Sequence, residues 1–378
     1  MMRITLDRLE LVAALALVKS VADRTATMPI LSKTRLLVKG KTLSLAASDL
    51  NVSLTTSVGK GKNPKVGSVA VAAKALHDIA KKMDGDDVLL EFEGKAESEG
   101  GQLLVRSASA EFKLAVGSAA DFPKLPDTPE DGWSSIATSD LADHVARVRP
   151  AMSPDITRPH LHAMLWEDKG GSFGFTATDG HRLSRSVFEW GDAAPATPKG
   201  GVLVPVKGMA EIAKLLKACG TDEVEVQVGN KEVFVRAGAT TLAAKIVDAQ
   251  FPPYEQVIPK GNSRIAIVPR DRLIATLERL VLVTDNAGGI HISTAAKGIQ
   301  FRADNKDSTM FGRENVAATI EGEKVKGVGL NATYLLELLA VMDCEQVRIE
   351  MGDDEVDPVV VRPTDRDDHL VIVMPMRI

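Results

Sequence analysis

Arg3-Ile-Thr-Leu-Asp-Arg-Leu9 opens the chain with apolar residues at every second position, then an acidic residue, then the start of an apolar stripe. The same plan returns at Ser135-Ile-Ala-Thr-Ser-Asp-Leu141 and at Ile265-Ala-Ile-Val-Pro-Arg-Asp-Arg-Leu273. Period two predicts a strand, and Leu9, Val12, Ala13, Ala16 and Leu17 keep the spacing of one helix face, with Asp7 placed as its N-cap. A second strand-then-helix unit also occurs three times. Val69 to Leu76 leads into a helix over 77–83, Leu203 to Lys207 into 209–217, and Val328 to Leu335 into 336–342. An acidic or polar turn and an alternating strand follow each one, over 88–92, 224–228 and 347–351. Two Phe-Pro pairs, in Asp121-Phe-Pro-Lys-Leu-Pro126 and Gln250-Phe-Pro-Pro-Tyr254, stop strands, because proline donates no ladder hydrogen bond and restrains the residue before it.

The period, about 130 residues, is far longer than a solenoid unit. It predicts an α+β fold of three tandem copies of one domain, each with two helices against short antiparallel strands. The expected boundaries are 1–127, 128–260 and 261–378. Gene duplication accounts for the repetition and assigns no function.

Composition narrows the class. Hydrophobic residues make up 44% and charged residues 26% of 378, the balance of folded globular domains. Cys219 and Cys344 lie far apart, so neither a disulfide framework nor a cysteine zinc site is expected. The apolar run from Leu11 to Val18 has Asp7 and Glu10 before it and Lys19 after it, which suits an amphipathic helix better than a signal peptide. No run reaches the ~18 apolar residues of a membrane span, and a cytoplasmic protein is expected.

The net charge of −5 does not advertise a nucleic-acid partner. However, Lys74 and Lys81, Lys207 and Lys214, and Arg272 and Arg279 stand two helical turns apart, so each pair shares a face. An ordinary solvated helix face reads the same way. Arg8, Lys19, Arg24, Arg147, Arg149 and Lys217 add cations near the helices, while acids concentrate at 84–87, 222–225 and 353–357. No aromatic residues interleave with the cations, so phosphate contact blind to sequence is expected rather than base stacking.

Phe175-Thr-Ala-Thr-Asp-Gly-His-Arg-Leu-Ser184 reads as a half-buried strand, a tight Asp179-Gly180 turn and a returning strand. Its imidazole, guanidinium and apolar side chain suit catalysis or the wall of a peptide groove. Against catalysis, Asp179, His181 and Ser184 come without a nucleophile elbow, and no Walker or dinucleotide loop follows any strand. His160-x-His162 lacks a third metal ligand. No enzyme activity, metal or cofactor is expected.

Met28-Pro-Ile-Leu31, Thr178-Asp-Gly-His-Arg-Leu183, Ala249-Gln-Phe-Pro-Pro-Tyr254 and Val373-Met-Pro-Met-Arg-Ile378, in this order and with the threefold repeat, resemble the bacterial β sliding clamp family, processivity subunits of DNA polymerase III. The resemblance covers the whole chain. It implies a head-to-tail homodimer closed around duplex DNA, helices lining the hole and sheets outside. It further implies a hydrophobic groove between the second and third copies, where short motifs of polymerases, the clamp loader and repair proteins dock. Carried over by motif, the groove uses Leu161, Thr178, Gly180, His181, Arg182 and Leu183, then Pro252 and Val257, then Ile372, Met374, Pro375, Met376 and Arg377. Read without the resemblance, Met374 and Met376 would be core packing of a last strand. The resemblance assigns DNA contact to Arg24 and Lys207, the stripe adds Lys74, and the dimer seam is placed at Phe112 and Leu114 against Leu282 and Val283. The alternative is a protein-interaction scaffold that never meets DNA. Three departures stand out: Glu255-Gln256 where relatives often carry Arg, Ile378 where Leu is common, and Thr157-Arg-Pro-His160 without the paired tyrosines some relatives show before Leu161.

Overall fold

The computed structural model describes residues 2–22, 27–93, 101–190, 193–285, 288–296, 298–305, 307, 309–324 and 327–377. Among these, six α helices occupy the six predicted places: α1 (Arg8–Val21), α2 (Ala73–Lys82), α3 (Thr138–Val148), α4 (Val206–Ala218), α5 (Arg270–Val281) and α6 (Ala332–Leu339). Among the described residues the strands pair antiparallel, which makes the architecture α+β. The helices start sooner than the alternation suggests, α2 at Ala73 and α6 at Ala332, with no loop after the preceding strand. At α6 the cause is visible: the Asn331 side chain accepts the Tyr334 N–H at 3.1 Å, capping the helix inside the stretch read as strand. Asp7 caps α1 as predicted, accepting the Glu10 N–H at 2.9 Å.

Three copies sort into two compact units, Met1–Ala142 with Lys207–Ile246, and Asp143–Val206 with Val247–Ile378. Each unit contains a long sheet that joins the middle copy to a neighbour. In the first, Thr240–Lys245 pairs with Val52–Val58, Leu242 opposite Leu54. In the second, His369–Val373 pairs with Arg182–Phe188, Leu183 opposite Ile372. Sequence repetition therefore does not mark where contacts are densest.

The helices are amphipathic, but α1 buries a different face from the one its spacing picked out. Leu9 is 67% exposed, Ala13 and Ala16 are exposed, and Val12 and Leu17 are half-buried, because apolar residues run nearly all round this helix and period alone does not choose the face. α1 buries Leu11, Leu15 and Val18, α4 Met209, Ile212 and Leu216, and α5 Leu273, Leu277 and Leu280. A second expectation fails as well. Phe173–Thr178 is buried on both faces rather than half-buried, because its alternate residues Gly174 and Thr176 are small and larger side chains of the flanking strands, such as Glu167 and Val187 beside Gly174, close over them. Phe173 and Phe175 there pack against Trp166 and Phe188.

Candidate functional site

The hairpin of Phe173–Thr178 and Arg182–Phe188 is closed by Asp179, Gly180 and His181. One carboxylate oxygen of Asp179 accepts the N–H groups of His181 (2.8 Å) and Arg182 (3.0 Å). The Thr178 hydroxyl donates to the Arg182 carbonyl at 2.7 Å and accepts the Gly180 N–H at 3.1 Å. Gly180 has φ +95°, while a Cβ there would meet only Arg158 Nη1, at 3.8 Å; conformation rather than space calls for glycine. Arg182, also buried, bonds Asp179 Oδ2 at 3.1 Å and Glu337 at 2.5 Å, its guanidinium 4.5 Å from the Tyr334 ring centre. Its charge is thus spent within the fold.

Beyond the hairpin, the last strand continues the ladder: the Met374 N–H donates to the His181 carbonyl at 2.8 Å. On the other side Pro252 and Pro253 lead into a short 3-10 turn, Tyr254–Val257. Between them opens a cleft of about 260 Å³. Leu183, Ile372 and Tyr254 belong to one buried cluster at its floor, and Met374 packs against that cluster half-buried. Few polar atoms interrupt the surface, so the cleft suits apolar side chains of a docked segment.

Nine of the thirteen predicted groove residues line it: Leu161, Thr178, Gly180, Arg182, Leu183, Pro252, Val257, Ile372 and Met374. His181 contributes its backbone, its ring lying 6.4 Å from Tyr334. Pro375, Met376 and Arg377 lie beyond the lining; the Met376 N–H donates to Gly329 O at 2.9 Å, which carries the tail past the cleft. Ile378 lies outside the described residues. Sequence reasoning missed Pro253, Tyr254 and Gln256. Only the Phe-Pro-Pro-Tyr motif hinted at them.

Glu255 and Gln256 part company. Gln256 lines the cleft, whereas Glu255 pairs with Lys169 at 3.0 Å. Lys169 also reaches Glu167 at 3.0 Å, and Tyr254 bonds Glu167. Burial works to lower the Lys169 pKa, but bonds to Tyr254, Glu255 and Glu167 outweigh it and raise it above the ordinary lysine value. That bond from Lys169 holds the Glu255 carboxyl below its usual range. Burial first, then the bond to Glu167, pushes the Tyr254 phenol up.

Asp179, His181 and Ser184 have other work: beside the turn bonds of the first two, the Ser184 hydroxyl is buried and donates to the Arg147 carbonyl at 2.8 Å. Of the cations expected to meet DNA, Arg24 lies outside the described residues. Lys74 is exposed, 4.0 Å from Asp78, and Lys207 is bound to the buried carboxylate of Asp49. Lys214 and Arg279 pair with Glu211 and Glu314, so much of the stripe is neutralised locally. At the expected seam, Phe112 is 44% and Leu282 75% exposed, and Leu114 and Val283 are half-buried. Phe112 sits on Ala110–Gly117, which pairs along one side with Gln102–Ser107 and, among the described residues, on the other only at Val116 and Gly117. Phe311–Val316 is likewise a sheet edge, with Phe311 56% exposed.

Residues 2–126, 135–253 and 255–377 match in turn the N-terminal, central and C-terminal domains described for the DNA polymerase III beta subunit. The chain belongs to the DNA polymerase III beta subunit family. The beta sliding clamp of Pseudomonas aeruginosa is 33% identical over the full length of both chains, and that of Escherichia coli 28% over the same extent. A crystal structure of the Pseudomonas aeruginosa subunit aligns over all of both chains with TM-score 0.91 at 32% identity. Another, of that organism's clamp bound to griselimycin, gives 0.90 at 32% over the same extent. Three tandem clamp domains are thereby established, and the family is one of non-catalytic processivity factors.

Proposed function

We propose that two copies of this chain close head to tail into a ring around duplex DNA, slide without sequence preference, and tether the replicative polymerase and other replication and repair proteins. Short motifs of those partners would fill the apolar cleft between Tyr254, Leu183, Ile372 and Met374. The observation that carries the tethering is this cleft, preformed on a buried floor and lined by nine residues chosen by motif.

Ring closure is supported by two open strand edges with exposed aromatics, Phe112 on one and Phe311 on the other. A strand edge presents unpaired backbone groups, so joining two edges continues a sheet across copies, and a heterologous contact closes when its rotation suits. Leu114, Leu282 and Val283 would border that seam. The domains would divide at 1–127, 128–260 and 261–378, and the ring would act in the cytoplasm.

Arg24, Lys74 and Lys207 are the proposed DNA contacts. Local neutralisation of Lys74 and Lys207 leaves weak phosphate attraction, which suits sliding, since strong cationic binding would be salt-sensitive and slow movement.

Retention on nicked circular DNA, loaded by a cognate loader with ATP, tests the reading. The clamp should stay on the circle and leave once it is linearised. Retention on linear DNA with free ends would replace topology by ordinary affinity. Failure to load with an active loader would favour a scaffold that never meets DNA.

A further inference from the structure

We propose that the first unit carries a second docking cleft, built on the backbone plan of the apolar one but selecting a short acidic peptide segment with an aliphatic anchor. Its class of occupant rests on reading the apolar cleft as a docking site; its location does not.

The strands Thr42–Ser48 and Val52–Val58 turn through Asp49, Leu50 and Asn51. Asp49 Oδ1 accepts the N–H groups of Asn51 and Val52, as Asp179 does for His181 and Arg182. The Leu50 N–H donates to the Ser48 hydroxyl at 3.1 Å, as Gly180 does to Thr178 at 3.1 Å. The Lys245 N–H donates to the Asn51 carbonyl at 2.8 Å, as Met374 does to His181 at 2.8 Å. The segment after the first Phe-Pro, Lys124 to Asp127, borders the space, as the segment after the second borders the apolar cleft.

The side chains differ throughout. Ser53 stands where Leu183 does, Ala243 where Ile372 does, and Lys245 where Met374 does. The cleft, about 400 Å³, has Leu50, Leu125, Pro126 and Ala243 as its apolar wall and Lys124, Lys231 and Lys245 around it. Asp127 and Glu232 also border it, and Lys124 pairs with Asp127 at 3.3 Å. Lys231 and Lys245 are exposed and make no ion pair among the described residues, although Glu232 stands opposite Lys245 in the ladder, so two solvated ammonium groups lie beside an apolar patch. Carboxylates flanking an aliphatic side chain complement that arrangement. Leu50 is the second sign of use. It holds φ +77°, a region a bulky side chain enters only under strain, and keeps 43% of its surface exposed at the cleft.

Fluorescence polarisation with the full chain tests the proposal, using labelled Asp-Leu-Glu-Leu-Asp and its neutral twin Asn-Leu-Gln-Leu-Asn. The acidic probe should bind roughly tenfold tighter than the neutral one, and weaken several-fold as salt rises from about 0.05 to about 0.3 M. Lys231→Glu with Lys245→Glu should abolish that preference, and deletion of Met374 to Ile378 should leave it. Lys245→Met, which installs the other cleft's residue on the same backbone, should lower acidic-probe affinity without the risk that charge reversal disturbs folding. Equal affinity for the two probes, or acidic binding that survives both lysine variants, overturns the proposal. A probe lost on deleting the tail has bound the apolar cleft, which overturns it too. An uncharged probe with Leu and Phe anchors, whose binding is lost on deleting Met374 to Ile378, reports on the apolar cleft by itself, so failure of that reading is distinguishable from failure of this one.

Discussion

The turn at Asp49 and the turn at Asp179 share their hydrogen bonds and differ in nearly every side chain around them. In each, one carboxylate oxygen takes two backbone N–H groups and a hydroxyl takes a third. Local side-chain bonding of this kind specifies a turn by itself. What the cleft beside it can hold is decided separately, by the few residues that project from the neighbouring strands. Met374, Ile372 and Leu183 make one cleft apolar; Lys245, Ala243 and Ser53 make the other mixed. Repetition has kept the frame and released the surface.

Removing the carboxylate should separate the two most. Asp179 and Arg182 are both buried, so Asp179→Ala leaves a guanidinium short of a partner as well as two N–H groups, and should cost about 3 kcal/mol. The Lys207 partner of Asp49 is more exposed and returns to water, so Asp49→Ala should cost about 2 kcal/mol. Urea unfolding checks this, with Trp166 and Trp190 reporting on the second unit and Trp133 on the first. Equal losses would mean that the turn bonds alone matter.

Acid should come next. His369, opposite Ser186, is the register counterpart of Thr240, whose hydroxyl lies 2.8 Å from that of Thr56. Burial, helped by the Arg147 charge against the opposing pull of Asp368, holds the His369 imidazole down from 6.5 to about 3; His144 and Arg366 add to the depression. The folded state therefore resists a proton that the unfolded chain accepts. Its contribution is complete above the ordinary pKa and is lost as pH falls from about 6.5 toward 3, at about 1.4 kcal/mol per pH unit. Stability followed from pH 7 to about pH 5, before most carboxylates titrate, should fall more in the second unit, and His369→Thr should flatten that slope. An unchanged slope in the variant would assign it to other groups.

Much of the frame was legible in the sequence. Alternation and helix spacing placed six helices and the strands beside them, because each element carries its own period. The Asp179-Gly180 turn was legible because its bonding is local. What escaped depended on residues far apart in the chain. Tyr254 becomes part of the cleft floor through Glu167, and Glu255 turns toward Lys169; neither partner is nearby in sequence. Lys207 reads as a free cation on a helix, yet Asp49, from a hairpin near the start of the chain, claims its charge. The buried faces of Phe173–Thr178 follow from which strands flank it, which periodicity does not state.

The smallest effect asks what Leu50 is for. Gly180→Ala places a Cβ in no more than ordinary contact with Arg158 at φ +95° and should cost about 1 kcal/mol through conformation alone. Leu50→Gly runs the other way. It relieves a left-handed leucine but frees the unfolded chain and gives up a half-exposed apolar contact, leaving a net gain of about 0.5 kcal/mol or less. Paired urea titrations resolve the sign. A gain means that the wild-type chain keeps an apolar side chain at this turn at a cost to stability, as a docking wall requires and a plain turn does not. A loss means that Leu50 is held by packing against Leu125 and Pro126, and the first cleft is then closed by its own residues rather than open to a partner.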